Sequence, residues 1–202
     1  MARKKAYEEK IVKLILLKEG TYDLNSNLKE DLIIKCPISI HGAGQDNTIL
    51  QEYGIKIKGT KEEKKRVNMQ DMTISETSGN GLDASHNGLS FLCKDMTFTQ
   101  CGLSGVFAKN TKGKLINCVI TQCGSSGIFC GINALIQVEG DQTKVDGNVT
   151  TGYGSGLQTY DTSSIIHLLF PLTKESVSTN NHGGRNYGGS GTIESVDTLE
   201  SL

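Results

Sequence analysis

The sequence predicts an all-β fold, a single-stranded right-handed parallel β-helix of seven or eight short coils, on three observations. An alternating segment recurs as DMTIS at 71–75, DMTFT at 95–99, NCVIT at 117–121 and DGNVT at 146–150. Ten positions after its first Asp or Asn, each segment is followed by a glycine and an aliphatic residue: Gly81-Leu82, Gly105-Val106, Gly127-Ile128 and Gly156-Leu157. The composition, with 24 Gly, 2 Pro and no Trp, favours many tight turns between short strands.

The unit recurs every 22 to 29 residues. Leucine-rich repeats share that length but need a Leu-x-x-Leu-x-Leu frame, and ankyrin or tetratricopeptide units need helical spacing over about 33 residues. Within each unit the apolar residues alternate as strands require. Ile74, Phe98, Ile120 and Val149 are expected to form one inward column, and Leu82, Val106, Ile128 and Leu157 a second. A third, smaller column follows two residues later: Ala84, Ala108, Cys130 and Thr159. So short a strand cannot bury an apolar face alone, but coils stacked about 4.8 Å apart place like over like and build a continuous core.

The turns fit this reading. Asn87, Asn110 and Asn133 recur 23 residues apart, and asparagine tolerates the left-handed backbone and can bond its equivalent one coil away. Asp71, Asp95 and Asp146, in line with Asn117, open the alternating segments and are read as turn residues. Ser75, Thr99, Thr121 and Thr150 recur outward, with Thr73 and Thr97 before two of them. That array decays to Val119 and Asn148, so it is read as a hydroxyl ladder supporting the sheet. Asn148-Val149-Thr150 matches a glycosylation sequon inside an expected strand and is given no weight.

From the amino end, residues 1–12 are expected to be a cap, with Ala2 to Val12 as a short amphipathic helix shielding the first coil. The β-helix domain then occupies 13–202. Its early strands are read at 13–17, 20–24, 32–34, 38–40, 48–50 and 55–57, and KEEKKR at 61–66 as a solvated loop. Ile165 to Leu169, Val177 and Thr192 to Val196 close the far end, with a flexible Gly-rich loop at 182–191.

Charge is balanced, 21 Lys and Arg against 22 Asp and Glu, which argues against nucleic acid as a partner. No run of about 18 apolar residues exists to cross a membrane. Met1 to Lys13 mixes Glu8 and Glu9 with lysines where a signal peptide needs an apolar stretch, so the expected location is cytoplasmic by default. The six cysteines form no C-x-x-C pair and are read as free, mostly buried thiols. No metal and no cofactor is expected.

The order GTYDL, a coil of isoleucines, GAGQDNTIL and then DMTIS resembles the amino-terminal coils of the pectate-lyase-like right-handed β-helix superfamily. The resemblance covers residues 13 to 170 and rests on turn glycines and core aliphatics, which carry no chemistry. It implies a fold whose enzyme members cleave or epimerise acidic polysaccharides along a groove on one parallel sheet. Function must still be argued from a site.

If the second and third columns point inward, Asp83, Phe107, Phe129 and Gln158 face outward between them, with Ser85, Lys109, Gly131 and Tyr160 beside. Exposed stacked phenylalanines mark an interaction site, so Asp83, Phe107, Lys109, Phe129, Gln158 and Tyr160 form the candidate binding surface. Stacking on a sugar ring, packing against another subunit as a homo-oligomer, and coverage by the 182–191 loop are three competing uses of it. Catalytic candidates are poorer: Asp83, His86 and Lys109 offer an acid, a base and a cation if they converge, but no carboxylate cluster accompanies them. His182 and Arg185 in HGGRNYGG are read as part of a solvated loop. The expected function is therefore a non-catalytic binding or assembly surface for glycan or protein. The alternatives are a polysaccharide lyase or epimerase and a structural or fibre module.

Overall fold

The computed structural model describes residues 13–24, 30–59, 65–85 and 89–198. The expected cap at 1–12, His86, Asn87 and most of the 61–66 charge run lie outside these residues. Lys65 and Arg66 are the exceptions, and Arg66 opens a strand rather than ending a loop.

The chain forms a parallel β-solenoid of about seven turns, each turn contributing to three faces. The first face runs β1 (Leu14–Leu16), β4 (Ser39–His41), β7 (Arg66–Ser75), β9 (Ser90–Thr99), β11 (Lys112–Ile116), β14 (Leu135–Glu139), β17 (Ile165–Leu169) and β20 (Thr192–Val196). The second contains β2 (Gly20–Asp23), β5 (Thr48–Gln51), the carboxyl halves of β7 and β9, β12 (Val119–Thr121), β15 (Lys144–Asp146) and β18 (Ser178–Thr179). The third is a seven-stranded sheet of β3 (Leu32–Ile34), β6 (Ile55–Ile57), β8 (Leu82–Ala84), β10 (Val106–Ala108), β13 (Ile128–Cys130), β16 (Leu157–Thr159) and β19 (Tyr187–Gly188).

Register confirms the second and third columns residue for residue. Leu82, Val106, Ile128 and Leu157 pair in succession, as do Ala84, Ala108, Cys130 and Thr159, and all are buried. The first column needs one correction. Ile74, Phe98 and Ile120 stack as expected, but Val145 follows them, not Val149. The sixth coil carries four additional residues between its second and third faces, which restored the ten-residue interval by coincidence. Asp146 therefore continues the Ser75-Thr99-Thr121 column in place of Thr150, and Gly140, not Asp146, follows Asn117 at the corner.

Single residues with left-handed backbones turn the chain at the corners. Between the first and second faces they are Asp71, Asp95, Asn117 and Gly140, with φ of 58°, 49°, 51° and 90°. Between the second and third faces they are Glu52, Glu76, Gln100, Gln122, Gly147 and Asn180, and the longer corner of the sixth coil adds Val149, Gly152 and Gly154. A non-glycine residue there costs about 1–2 kcal/mol, but the ladder is kept: Glu76 N–H donates to Thr99 O and Gln100 N–H to Thr121 O, both at 3.2 Å. At the third corner Asn110 and Asn133 are also left-handed, and Asn133 Nδ2 donates to Asn110 Oδ1 at 3.2 Å.

The repeat glycine has a different cause, namely close approach. A Cβ on Gly81 would stand 2.7 Å from Gly105 O, one on Gly105 3.0 Å from Gly127 O, and one on Gly127 2.9 Å from Gly156 O. Each would also strike a core side chain of the next coil, Phe98, Ile120 or Val145 in turn. The glycine lets the third face start tight against the carbonyls of the next coil.

The far end departs from expectation. Residues 182–191 contain a 3₁₀ turn (His182–Gly184) and β19, which pairs with β16, so they complete the seventh coil. A four-residue helix, α1 (Lys174–Val177), precedes β18 and is closed by a capping box between Thr173 and Ser176. Lys174 Nζ lies 4.6 Å from the centre of the Tyr187 ring.

The sequon asparagine, Asn148, is wholly buried beyond the end of β15; its Nδ2 donates to Ile120 O at 3.0 Å and its Oδ1 accepts from Cys123 N at 3.0 Å. All six cysteines are free, and only Cys36 is exposed. No helix among the described residues is long and apolar enough to cross a membrane.

Candidate binding surface on the third sheet

The third sheet alternates buried, half-buried, buried along β6, β8, β10, β13 and β16. Its outer column therefore runs Lys56, Asp83, Phe107, Phe129 and Gln158 by direct pairing. Phe107 and Phe129 stack with ring centres 4.7 Å apart and planes 7° from parallel, the offset consequence of one coil spacing between like residues. Tyr160 tilts against Phe129 at 6.2 Å and 45°, and is 60% exposed.

Lys109 and Gly131 stand beyond their strands on the same face; Lys109 N–H donates to Ala84 O at 3.2 Å and Gly131 N–H to Ala108 O at 2.8 Å. A Cβ at Gly131 would press on Phe129 Cε1 at 3.2 Å. With glycine there, the edge of the Phe129 ring stays open to a recess of about 190 Å³ lined by Phe107, Lys109, Phe129, Gly131, Ile132 and Tyr160.

Gln158 is turned away from the recess, its Nε2 donating to Thr159 O at 2.9 Å. Asp83 is held at the other end of the column: its Oδ1 accepts from Ser85 N at 3.0 Å and its Oδ2 lies 3.9 Å from Lys56 Nζ. Lys56 in turn meets Asp31 Oδ2 at 2.9 Å. That hydrogen bond, the largest cause, and the nearby carboxylates hold the Lys56 ammonium above the ordinary lysine range against the opposing effect of burial.

The structure thus brings Phe107, Phe129, Lys109 and Tyr160 together and leaves Asp83 to Lys56. No carboxylate lines the recess among the described residues, and no group of three or more His, Cys, Asp or Glu suited to a metal occurs there either. His182 and Arg185 lie in the seventh coil, where Arg185 Nη1 donates to Gly152 O at 2.7 Å. Coverage of the phenylalanines by 182–191 is overturned, because β19 extends the sheet edge. Ile132 and Lys56 are not among the residues that the repeat pattern singles out, although Lys56 is legible as the outward member of Ile55-Lys56-Ile57.

Fold and face together define a parallel β-helix repeat protein carrying a short aromatic ladder on its third sheet. No family model matches the chain, and no curated protein sequence matches it. Among solved structures it is similar to the A-module of mannuronan C-5 epimerase AlgE4 from Azotobacter vinelandii, at 13% identity over 92% of this chain and 83% of that one, TM-score 0.38. It is similar also to the A-module of mannuronan C-5 epimerase AlgE6 from the same organism, at 13% identity over 94% and 92%, TM-score 0.31. Likenesses so distant carry no inference about activity, which rests on this chain's own residues.

Proposed function

We propose that the third sheet is a non-catalytic glycan-binding surface centred on Phe107, Phe129, Tyr160 and Lys109. The observation that carries this reading is the concave recess beside Phe129. A face built for subunit packing gains from flat, continuous apolar contact, whereas an aromatic-walled hollow with an ammonium at its rim suits a single sugar ring. Stacking covers one face of each phenylalanine and both rings are half-buried, whereas Tyr160 is exposed, so the most open aromatic face belongs to Tyr160. A sugar ring stacked there would have its edge on Ile132 and Phe129 and its hydroxyls within the range of Lys109.

The test is a glycan array followed by calorimetric titration of the best binder, with sedimentation velocity on the same samples. Binding that weakens at least about tenfold in Tyr160→Ala and Phe129→Ala, with the protein monomeric throughout, supports the proposal. No binding by the wild type, together with an oligomer that dissociates on Phe107→Ala, overturns it in favour of subunit assembly.

A further inference from the structure

A larger hollow lies elsewhere, at the corner between the first and second faces. Its volume is about 330 Å³, and Gln45, Asp95, Asn117, Val119, Asp141, Gln142 and Lys144 line it. Both of its walls are turns fixed by hydrogen bonds. The first is the 42–47 turn: Gly42 N–H donates to Gln70 O and Gly44 N–H to Asp71 O, both at 2.9 Å, while Ala43 N–H donates to Thr48 Oγ1 at 2.8 Å. Gly42 permits this close passage, since a Cβ there would strike Asp71 O and stand 2.9 Å from the Cβ atoms of Met72 and Thr48. Gln45 is then clamped over two further coils: Thr73 Oγ1 donates to its backbone carbonyl at 2.7 Å and Thr97 Oγ1 to its Oε1 at 3.1 Å. The second wall is the 140–143 turn, closed by Thr143 N–H to Gly140 O at 3.1 Å and Thr143 Oγ1 to Glu139 O at 2.7 Å.

The chemistry between these walls is mixed. Asp95 and Asp141 supply carboxylates, Lys144 an ammonium, and Lys94 approaches Asp95 at 3.7 Å, so the two negative charges are matched by two positive ones. Gln45, whose Oε1 is taken by Thr97, keeps its Nε2 as a donor. Asn117 Oδ1 is buried without a hydrogen-bond partner among the described residues and is packed where a Cβ on Gly140 would lie, so it is not an acceptor offered to a ligand. Val119 gives the floor an apolar spot. Acceptors and donors interleaved around a small apolar floor, with charges balanced, match a ligand whose groups both donate and accept and which carries no net charge.

We infer that this corner is a second binding site, for a neutral sugar or similar polyhydroxylated molecule. The hydroxyls would donate to Asp95 and Asp141 and accept from Lys144 and Gln45. The site does not depend on the aromatic recess, with which it shares no residue.

The experiment is titration of isotopically labelled protein, read by backbone amide shifts, with maltotriose, cellotriose and mannotriose, and with trigalacturonate as the charged comparison. The expected result is a saturable shift at Asn117, Val119 and Lys144 with at least one neutral trisaccharide and a much smaller one with trigalacturonate. Asp141→Asn and Lys144→Ala, both at exposed positions, should weaken the neutral ligand, read at these amides, at least about tenfold. The inference is overturned if no neutral trisaccharide shifts these amides saturably, or if trigalacturonate binds there as well. Shifts confined to Phe107, Phe129 and Tyr160 would likewise overturn it while supporting the recess on the third sheet.

Discussion

Gly105 stands directly against Ile120, and a Cβ added to the glycine would strike Ile120 Cγ2 and crowd Gly127 O at 3.0 Å. Both neighbours belong to the packed interior or the backbone of the next coil, so neither can retreat cheaply.

Gly105→Ala should therefore destabilise the fold by about 1–3 kcal/mol, the ordinary cost of overpacking a close-packed core. Gly79, with nothing within 4 Å of its would-be Cβ, is the control; Gly79→Ala should be neutral or stabilising by up to about 1 kcal/mol. Urea melts of the two variants check the contrast, and equal destabilisation would refute the close-approach explanation.

The stacked pair Phe107 and Phe129 should show coupling of about 0.5–1.5 kcal/mol in a double-mutant cycle of alanine variants. Both rings are half-buried and outward, so each single variant should stay folded, as circular dichroism would report. Additive single effects would mean that the ladder has no energetic role of its own.

Asn133 combines a left-handed backbone with the bond to Asn110. Asn133→Ala should cost about 1–2 kcal/mol, mostly backbone strain, and Asn133→Gly should recover much of it because glycine adopts that conformation freely. Chemical denaturation of the three proteins separates the strain from the amide bond.

The thiols should divide sharply. Cys36 is exposed, whereas Cys93, Cys101, Cys118, Cys123 and Cys130 are buried. Burial pushes the Cys118 and Cys130 thiols up to about 12, and only the thiolate reacts. An aromatic disulfide reagent should modify one cysteine quickly in the native protein and the other five only on unfolding; fast modification of several would contradict the packed core.

Lys56 gives a pH signature. Its folded pKa is raised above the ordinary 10.5, chiefly by the hydrogen bond to Asp31. A base shifted this way contributes stability that is complete below the unfolded value and is lost as pH rises through the folded one. The pair is partly solvated, so the contribution is below about 1 kcal/mol. Lys56→Met should be less stable than wild type near neutral pH, and the gap should close as pH rises above the ordinary lysine range; a gap independent of pH would place the effect in packing instead.

Much of this architecture is legible in the sequence because a parallel solenoid sets like residues over like. Val106 over Ile128, Ala108 over Cys130 and Phe107 over Phe129 follow from alternation and one interval. The reading failed at Val149 because a corner insertion of four residues preserved the interval to Gly156 while shifting the strand before it. Pattern alone cannot tell a longer corner from a displaced strand; the hydrogen-bonded register of Val145 with Ile120 decides it.

The sequence by itself determined the coil, its second and third inward columns and the outward direction of the aromatic pair, since all of these are periodic and local. Only the tertiary structure decided what the side chains meet. The hollow that Gly131 leaves beside Phe129, the loss of Asp83 to Lys56, and the clamping of Gln45 over Thr73 and Thr97 all join residues of different coils at irregular corners. There the chain path follows from close packing and individual hydrogen bonds, and no repeat encodes it.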